Sequence, residues 1–158
     1  MRVDFVNPFI SAAVDVVKST LDCDLDRGPL RLDASKIASD DVTVVIGVTG
    51  DAEGIVMYGM SERTAKQFAT AMLGQRMPVF DALAESAVAE LGNMIAGAAT
   101  VGLENQSYAC RLTPPTLLYG RGTMISLIDI NRLVIPLSCK HGKLEISVAL
   151  RDHKKILS

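Results

Sequence analysis

Ser86, Glu90 and Asn93 stand in the pattern Ser-x3-Glu-x2-Asn near the middle of this 158-residue chain. A carboxylate carries a charge that can hold a cationic group, and a carboxamide offers a donor and an acceptor side by side. Glu90 and Asn93 are i and i+3 neighbours, so a helix sets their side chains together. Gly97 continues the row, and the four positions span about 60° of helical arc. From spacing alone, a solvated polar edge is the commoner explanation of such a pair. The other polar clusters read as turns: Asp51 and Glu53 flank a hairpin, and Pro114-Pro115 makes a rigid extended turn. Tyr119-Gly120-Arg121-Gly122 lacks the Lys-Ser/Thr that a phosphate cradle needs. Cys23, Cys110 and Cys139 form no C-x-x-C spacing, so neither a zinc cage nor a redox pair is expected, and Cys139 reads as a small buried apolar residue.

The spacing predicts that a helix over residues 81–100 carries these groups, with Pro78 and Asp81 marking its start. Phe80, Leu83, Ala84, Ala87, Val88, Leu91, Met94, Ile95 and Ala98 form the stripe expected to face the core, with the polar row along its edge. Ala82, Ala89, Gly92, Ala96 and Gly97 are expected to leave the outward face nearly bare, with only Glu85 and Glu90 projecting from its middle. Each glycine costs about 1 kcal/mol of helix stability against alanine. A bare face admits the backbone of another protein, with Ser86, Ala89 and Gly97 as the expected contact positions.

Around this helix the chain alternates strands and helices. Asn7-Pro8 opens a helix reaching about Leu21. An extended piece over residues 30–37 follows the break at Asp26-Arg27-Gly28-Pro29. Residues 42–48 are rich in β-branched side chains and predict a buried strand, with 49–54 as turn and 55–60 as the returning strand. Ser61 caps a helix over 62–73. Strands are expected over 107–112, 116–119, 123–130, 133–139 and 143–150. Residues 11–15 align with 86–90 at an offset of 75, and the hairpin 44–60 aligns with 134–150 at an offset of 90. The expected architecture is one α/β (α+β) domain over 1–158, a duplicated helix-plus-strands unit with halves near 1–75 and 76–158. A central sheet would carry two long helices.

With 49% hydrophobic residues, no Trp and a net charge of -2, the chain can bury a core of aliphatic side chains. No basic stripe points to nucleic acid. No signal region opens the sequence, and no run of consecutive apolar residues reaches membrane-spanning length, so a cytoplasmic protein without a membrane partner is expected.

Ser86-x3-Glu90-x2-Asn93 on such a helix resembles the signature of the CheC/CheX/FliY phosphatases, as do the opening Asn-Pro-Phe-Ile helix and the order of elements. That signature usually ends in a proline slightly further along; here Pro114 and Pro115 follow Asn93 after 20 and 21 residues. The resemblance implies a CheC-like fold and an enzyme that hydrolyses the aspartyl phosphate of a CheY-like response regulator in chemotaxis. Asn93 would orient the attacking water and Glu90 would pair with the receiver's lysine. Catalysis of this kind is largely positioning. The resemblance assigns no cofactor or metal ligand to this chain, places Mg²⁺ in the partner receiver, and implies a homodimer. The first-half counterpart reads Ser11-x3-Asp15-x2-Lys18, and Lys cannot replace the amide, so one site per chain is expected. A non-catalytic module that binds a receiver or flagellar switch, and a structural dimer scaffold, remain open at this stage. An exposed sheet edge needing cover also favours pairing of two copies.

Overall fold

The computed structural model describes residues 3–33, 36–126 and 130–154. After a 3-10 turn, Val3–Phe5, α1 runs Asn7–Leu21 with Pro8 in its first turn, and stops at Asp22 in the left-handed conformation, φ 49°. Two short strands, β1 (Asp26–Arg27) and β2 (Arg31–Asp33), precede β3 (Lys36–Ala38). The first long hairpin is β4 (Val42–Gly50) and β5 (Ala52–Met60). Its strands extend into the expected 49–54 turn and leave only Asp51 between them. Helix α2 (Glu62–Leu73) is capped by Ser61, whose hydroxyl accepts from Thr64 N, and ends at Gly74. Helix α3 spans Ala82–Asn105, five residues beyond the expected end at 100. The chain closes with β6 (Cys110–Leu112), β7 (Thr116–Tyr119), β8 (Met124–Ser126), β9 (Arg132–Cys139) and β10 (Gly142–Asp152). Of the strand expected over 123–130, residues 127–129 lie outside the described residues.

The main sheet is antiparallel throughout, in the order β1-β9-β10-β5-β4-β6, with β2 also on β9 and β7 also on β4. The two long hairpins meet through their second strands, with Met57 opposite Ser147. Those two residues are themselves 90 apart in sequence, the offset at which the hairpins align. Both flanks end in broken strands. Gly28-Pro29 lies between β1 and β2, and Pro114-Pro115 between β6 and β7. Proline donates no ladder hydrogen bond, so each edge is cut into pieces of two to four residues. Interrupted edges of this kind resist strand-to-strand pairing, so the sheet edge gives no argument for a homodimer. β3 pairs with β8 in a separate ribbon.

The helices cover one sheet face. Val44, Ile46, Val56, Tyr58, Ile146 and Val148 point into the main core with Phe5, Phe9, Phe68, Leu91 and Ile95. Alternation along the strands puts Thr43, Met57, Ser147 and Ala149 on the other face, where they are also buried. There Arg132, 6% exposed, donates to Ser147 at 2.9 Å and to Asp33 at 3.2 Å, which satisfies a buried guanidinium.

Candidate functional site

Helix α3 is held firmly at its start. Asp81 caps it, its carboxylate accepting from Ala84 N at 3.0 Å. Phe80, just before, packs edge-on against Tyr119 of β7 with ring centroids 5.1 Å apart. Tyr119 donates its hydroxyl hydrogen bond to Glu62 at the start of α2, so one aromatic pair ties both helix starts to the sheet flank.

The buried side of α3 consists of Ala84, Ala87, Val88, Leu91, Gly92, Ile95, Ala96, Ala99 and Leu103. This corrects the sequence-based stripe. Gly92 and Ala96, expected outward, face the core. Leu83 is 49% exposed, Ala98 is exposed and Met94 is half-buried, although all three were expected inside. The reason is a close approach of α3 to β4. A Cβ on Gly92 would sit 3.0 Å from Val44 Cγ1 and 3.3 Å from Tyr58 Cδ2. Small residues at 92 and 96 let the helix settle on the sheet, and that contact sets its rotation. The helix is 24 residues long with a mean hydropathy of 1.2 in its most apolar window, enough by length and composition to cross a membrane. Short apolar runs had argued otherwise, because the apolar positions are interspersed with small ones. Much of that apolar surface is the buried face just described.

The rotation moves the polar row from the stripe's edge to the centre of the outward face. Ser86, Glu90, Asn93 and Gly97 lie roughly opposite the middle of the buried arc at about 100° per residue. Ser86 and Glu90 are exposed; Ala89, Asn93 and Gly97 are half-buried. Among the described residues, the Ser86 hydroxyl, the Glu90 carboxylate and the Asn93 carboxamide have no hydrogen-bond or ion-pair partner. Leu83, Met94, Ala98 and Val101, the last 58% exposed, border the row on one side. The sequence reading missed this apolar border; the small residues Gly92 and Ala96, spaced i and i+4, were the signal that could have revealed it. A Cβ on Gly97 would meet nothing within 4 Å, so core packing does not demand glycine there.

The first-half counterpart is differently occupied. Ser11, Asp15 and Lys18 are exposed on α1, and Lys18 is paired with Asp22 at 3.8 Å and Asp24 at 3.4 Å. Beside it α1 and α3 pack closely, Gly102 admitting Pro8, whose Cβ lies 2.9 Å from where a Cβ would stand. No group of three or more His, Cys, Asp or Glu side chains that could hold a metal occurs among the described residues. The site therefore offers one carboxylate, one carboxamide and one hydroxyl on a rigid helix with small neighbours. Such a surface can enter another molecule's cleft and align a small reactant there.

Residues 42–138 match the family described as chemotaxis phosphatase CheX. The chain is 34% identical over 140 residues to the CheY-P phosphatase CheX of Thermotoga maritima, covering 87% of this chain and 89% of that protein. A CheC-like superfamily protein from Shewanella sp. PV-4 superposes with a TM-score of 0.86 at 27% identity, over 96% of this chain and 99% of the other. The Borrelia burgdorferi CheX solved in a CheX-CheY-BeF3-Mg²⁺ complex superposes with a TM-score of 0.79 at 29% identity, over 96% and 100%.

Proposed function

Because this chain belongs to the chemotaxis phosphatase CheX family, we propose that it hydrolyses the aspartyl phosphate of a CheY-like response regulator. The observation that carries the site assignment is the unpartnered Glu90 and Asn93 at the centre of a small-residue face. Asn93 enters the receiver's site, where its carbonyl oxygen accepts from the water and its amide group donates to a phosphoryl oxygen. The water oxygen attacks phosphorus in line, the bond to the aspartyl oxygen breaks, and the carboxylate and inorganic phosphate leave. Glu90 holds the receiver's lysine, a charge pair that gains strength when the joined surfaces exclude water. Ser86, Ala89 and Gly97 let the partner backbone approach. Mg²⁺, an ion present in the Borrelia CheX-CheY complex, would sit in the receiver and supply charge stabilisation for the phosphoryl group.

The test follows the decay of a phosphorylated CheY-type receiver from the same cell. Wild type accelerates decay, and Asn93→Ala reduces the acceleration by at least about 100-fold, the scale of losing a positioned catalytic contact. Glu90→Ala weakens receiver binding as well. Unchanged acceleration by Asn93→Ala would remove that residue from the mechanism. Binding without acceleration by wild type would leave a docking module.

We also read residues about 1–75 and 76–158 as copies of one unit within a single domain. The pairing of Met57 with Ser147 supports this reading. We infer a homodimer from the family resemblance, with Leu32 (61% exposed) and Met124 (64% exposed) as apolar side chains a second copy would cover. Light scattering should give twice the chain mass, and Leu32→Asp/Met124→Asp should halve it.

A further inference from the structure

Away from α3, two of the three thiols lie in neighbouring segments of the fold. β1 runs antiparallel to β9, with Asp26 opposite Ser138, so the chain leaving α1 passes beside the β9–β10 turn. Lys140 Nζ donates to the carbonyl of Asp22 at 3.3 Å, and His141 lies near the backbone of Leu21. Between these ties, the side chains of Cys23 and Cys139 come within electrostatic range of each other, although 116 residues separate them, and the Cys23 thiol points at the Asp24 carbonyl at 3.8 Å. The expectation that no redox pair exists rested on sequence spacing; the fold supplies the proximity. The two thiols are not equivalent. Cys23 is 3% exposed, and burial, followed by the Cys139 contact, pushes its thiol above the usual range. Cys139 is half-buried and lines an open hollow of about 380 Å³ with Arg63, Thr64, Gln67, Lys140, His141 and Gly142. That lining holds two cations and no carboxylate, so an anionic reagent is drawn toward the Cys139 thiol.

We propose that Cys139 and Cys23 form a thiol-oxidation site for an anionic low-molecular-weight disulfide of the glutathione type, Cys139 reacting first and Cys23 resolving the product. In the first step the Cys139 thiolate attacks one sulfur of the disulfide, the sulfur–sulfur bond breaks, and one small thiolate leaves and takes up a proton. In the second, Cys23 loses its proton and its sulfur attacks that of Cys139, expelling the second small thiolate. Two protein thiols become one disulfide, and the small disulfide becomes two thiols, so protons and electrons balance. Cys23 needs no solvent access for its step, because its segment already lies beside Cys139. Cys110 on β6 has no thiol neighbour; its sulfur approaches the Ala52 carbonyl at 3.9 Å, and it serves as the internal control.

The experiment incubates the whole protein with oxidised glutathione and maps its peptides by mass spectrometry. Wild type and Cys110→Ser lose two hydrogens and yield a Cys23–Cys139 linked peptide. Cys23→Ser stops with one glutathione attached at Cys139. Cys139→Ser leaves Cys23 unmodified. Closing a loop of this length raises the melting temperature of oxidised wild type by about 10 °C, reversed by reductant. A neutral disulfide, hydroxyethyl disulfide, reacts more slowly, and the difference shrinks at high salt. Wild type that stops at a mixed disulfide, or a linked peptide containing Cys110, overturns the proposal. The mapping is done on wild type, so the result holds even where a variant folds poorly. It reads no phosphatase activity and stands apart from that assignment.

Discussion

Gly92 and Gly97 test the observed rotation of α3 by a single pair of substitutions. Both lie in the interior of the same helix, so replacing either with Ala brings about 1 kcal/mol of helix propensity. Their surroundings differ. At Gly97 the added Cβ meets nothing within 4 Å, so Gly97→Ala should stabilise the fold by about 0.5–1 kcal/mol. At Gly92 the Cβ would stand 3.0 Å from Val44 Cγ1, 3.3 Å from Tyr58 Cδ2 and 3.4 Å from Val44 Cβ. Those side chains are fully or almost fully buried and have little room to give. Overpacking of this kind costs about 1–3 kcal/mol, which outweighs the propensity gain and leaves Gly92→Ala destabilised by up to about 2 kcal/mol. Urea unfolding followed by circular dichroism separates the two: at roughly 2 kcal/mol per molar, the Gly97→Ala midpoint rises by about 0.3–0.5 M and that of Gly92→Ala falls. The Gly92 substitution also shows in the phosphatase assay. Gly92→Ala pushes the helix away from β4, displaces Asn93 and lowers activity in conditions where the protein is fully folded, since displacement of about 1 Å can cost about 100-fold. Equal midpoint shifts in the same direction would refute the distinction between a packing glycine and a surface glycine, and with it the placement of the polar row at the centre of the outward face.

Two further predictions concern the core. Tyr58 is 1% exposed and its hydroxyl has no hydrogen-bond partner among the described residues, so Tyr58→Phe should raise stability by about 1 kcal/mol in the same unfolding assay; a loss of that size would reveal a hydrogen bond to the hydroxyl. His141 has its pKa lowered by burial and then by the Lys140 charge, against the raising effect of the Leu21 carbonyl, an acceptor for the ring N–H. The unfolded chain therefore takes up the proton first on acidification. Stability is full above the ordinary histidine value near 6.5 and is lost as pH falls below it. Urea midpoints at pH 7.5 and 5.5 should show that loss in wild type and a smaller one in His141→Gln; identical slopes would exclude His141 as its source.

Local sequence determined a good deal here. Asp81 as a cap, the β-branched run 42–48, Ser61 with its turn, and the common row of Ser86, Glu90 and Asn93 depend on contacts within a few residues, and the helices and strands formed where those signals lie. The CheC-like fold and the family were legible for the same reason, because the motif and the order of elements are properties of the chain itself. Tertiary structure decided the rest. Periodicity could not say which arc of α3 meets the sheet, because Leu83, Met94 and Ala98 compete with Gly92 and Ala96 for that side. The close approach to Val44 and Tyr58 favoured the small residues. Strand pairing likewise placed prolines at both sheet flanks and brought Cys23 to Cys139 across 116 residues. A helix repeats its own geometry wherever it lies, whereas rotation, register and thiol proximity follow from surfaces brought together only when distant segments pack.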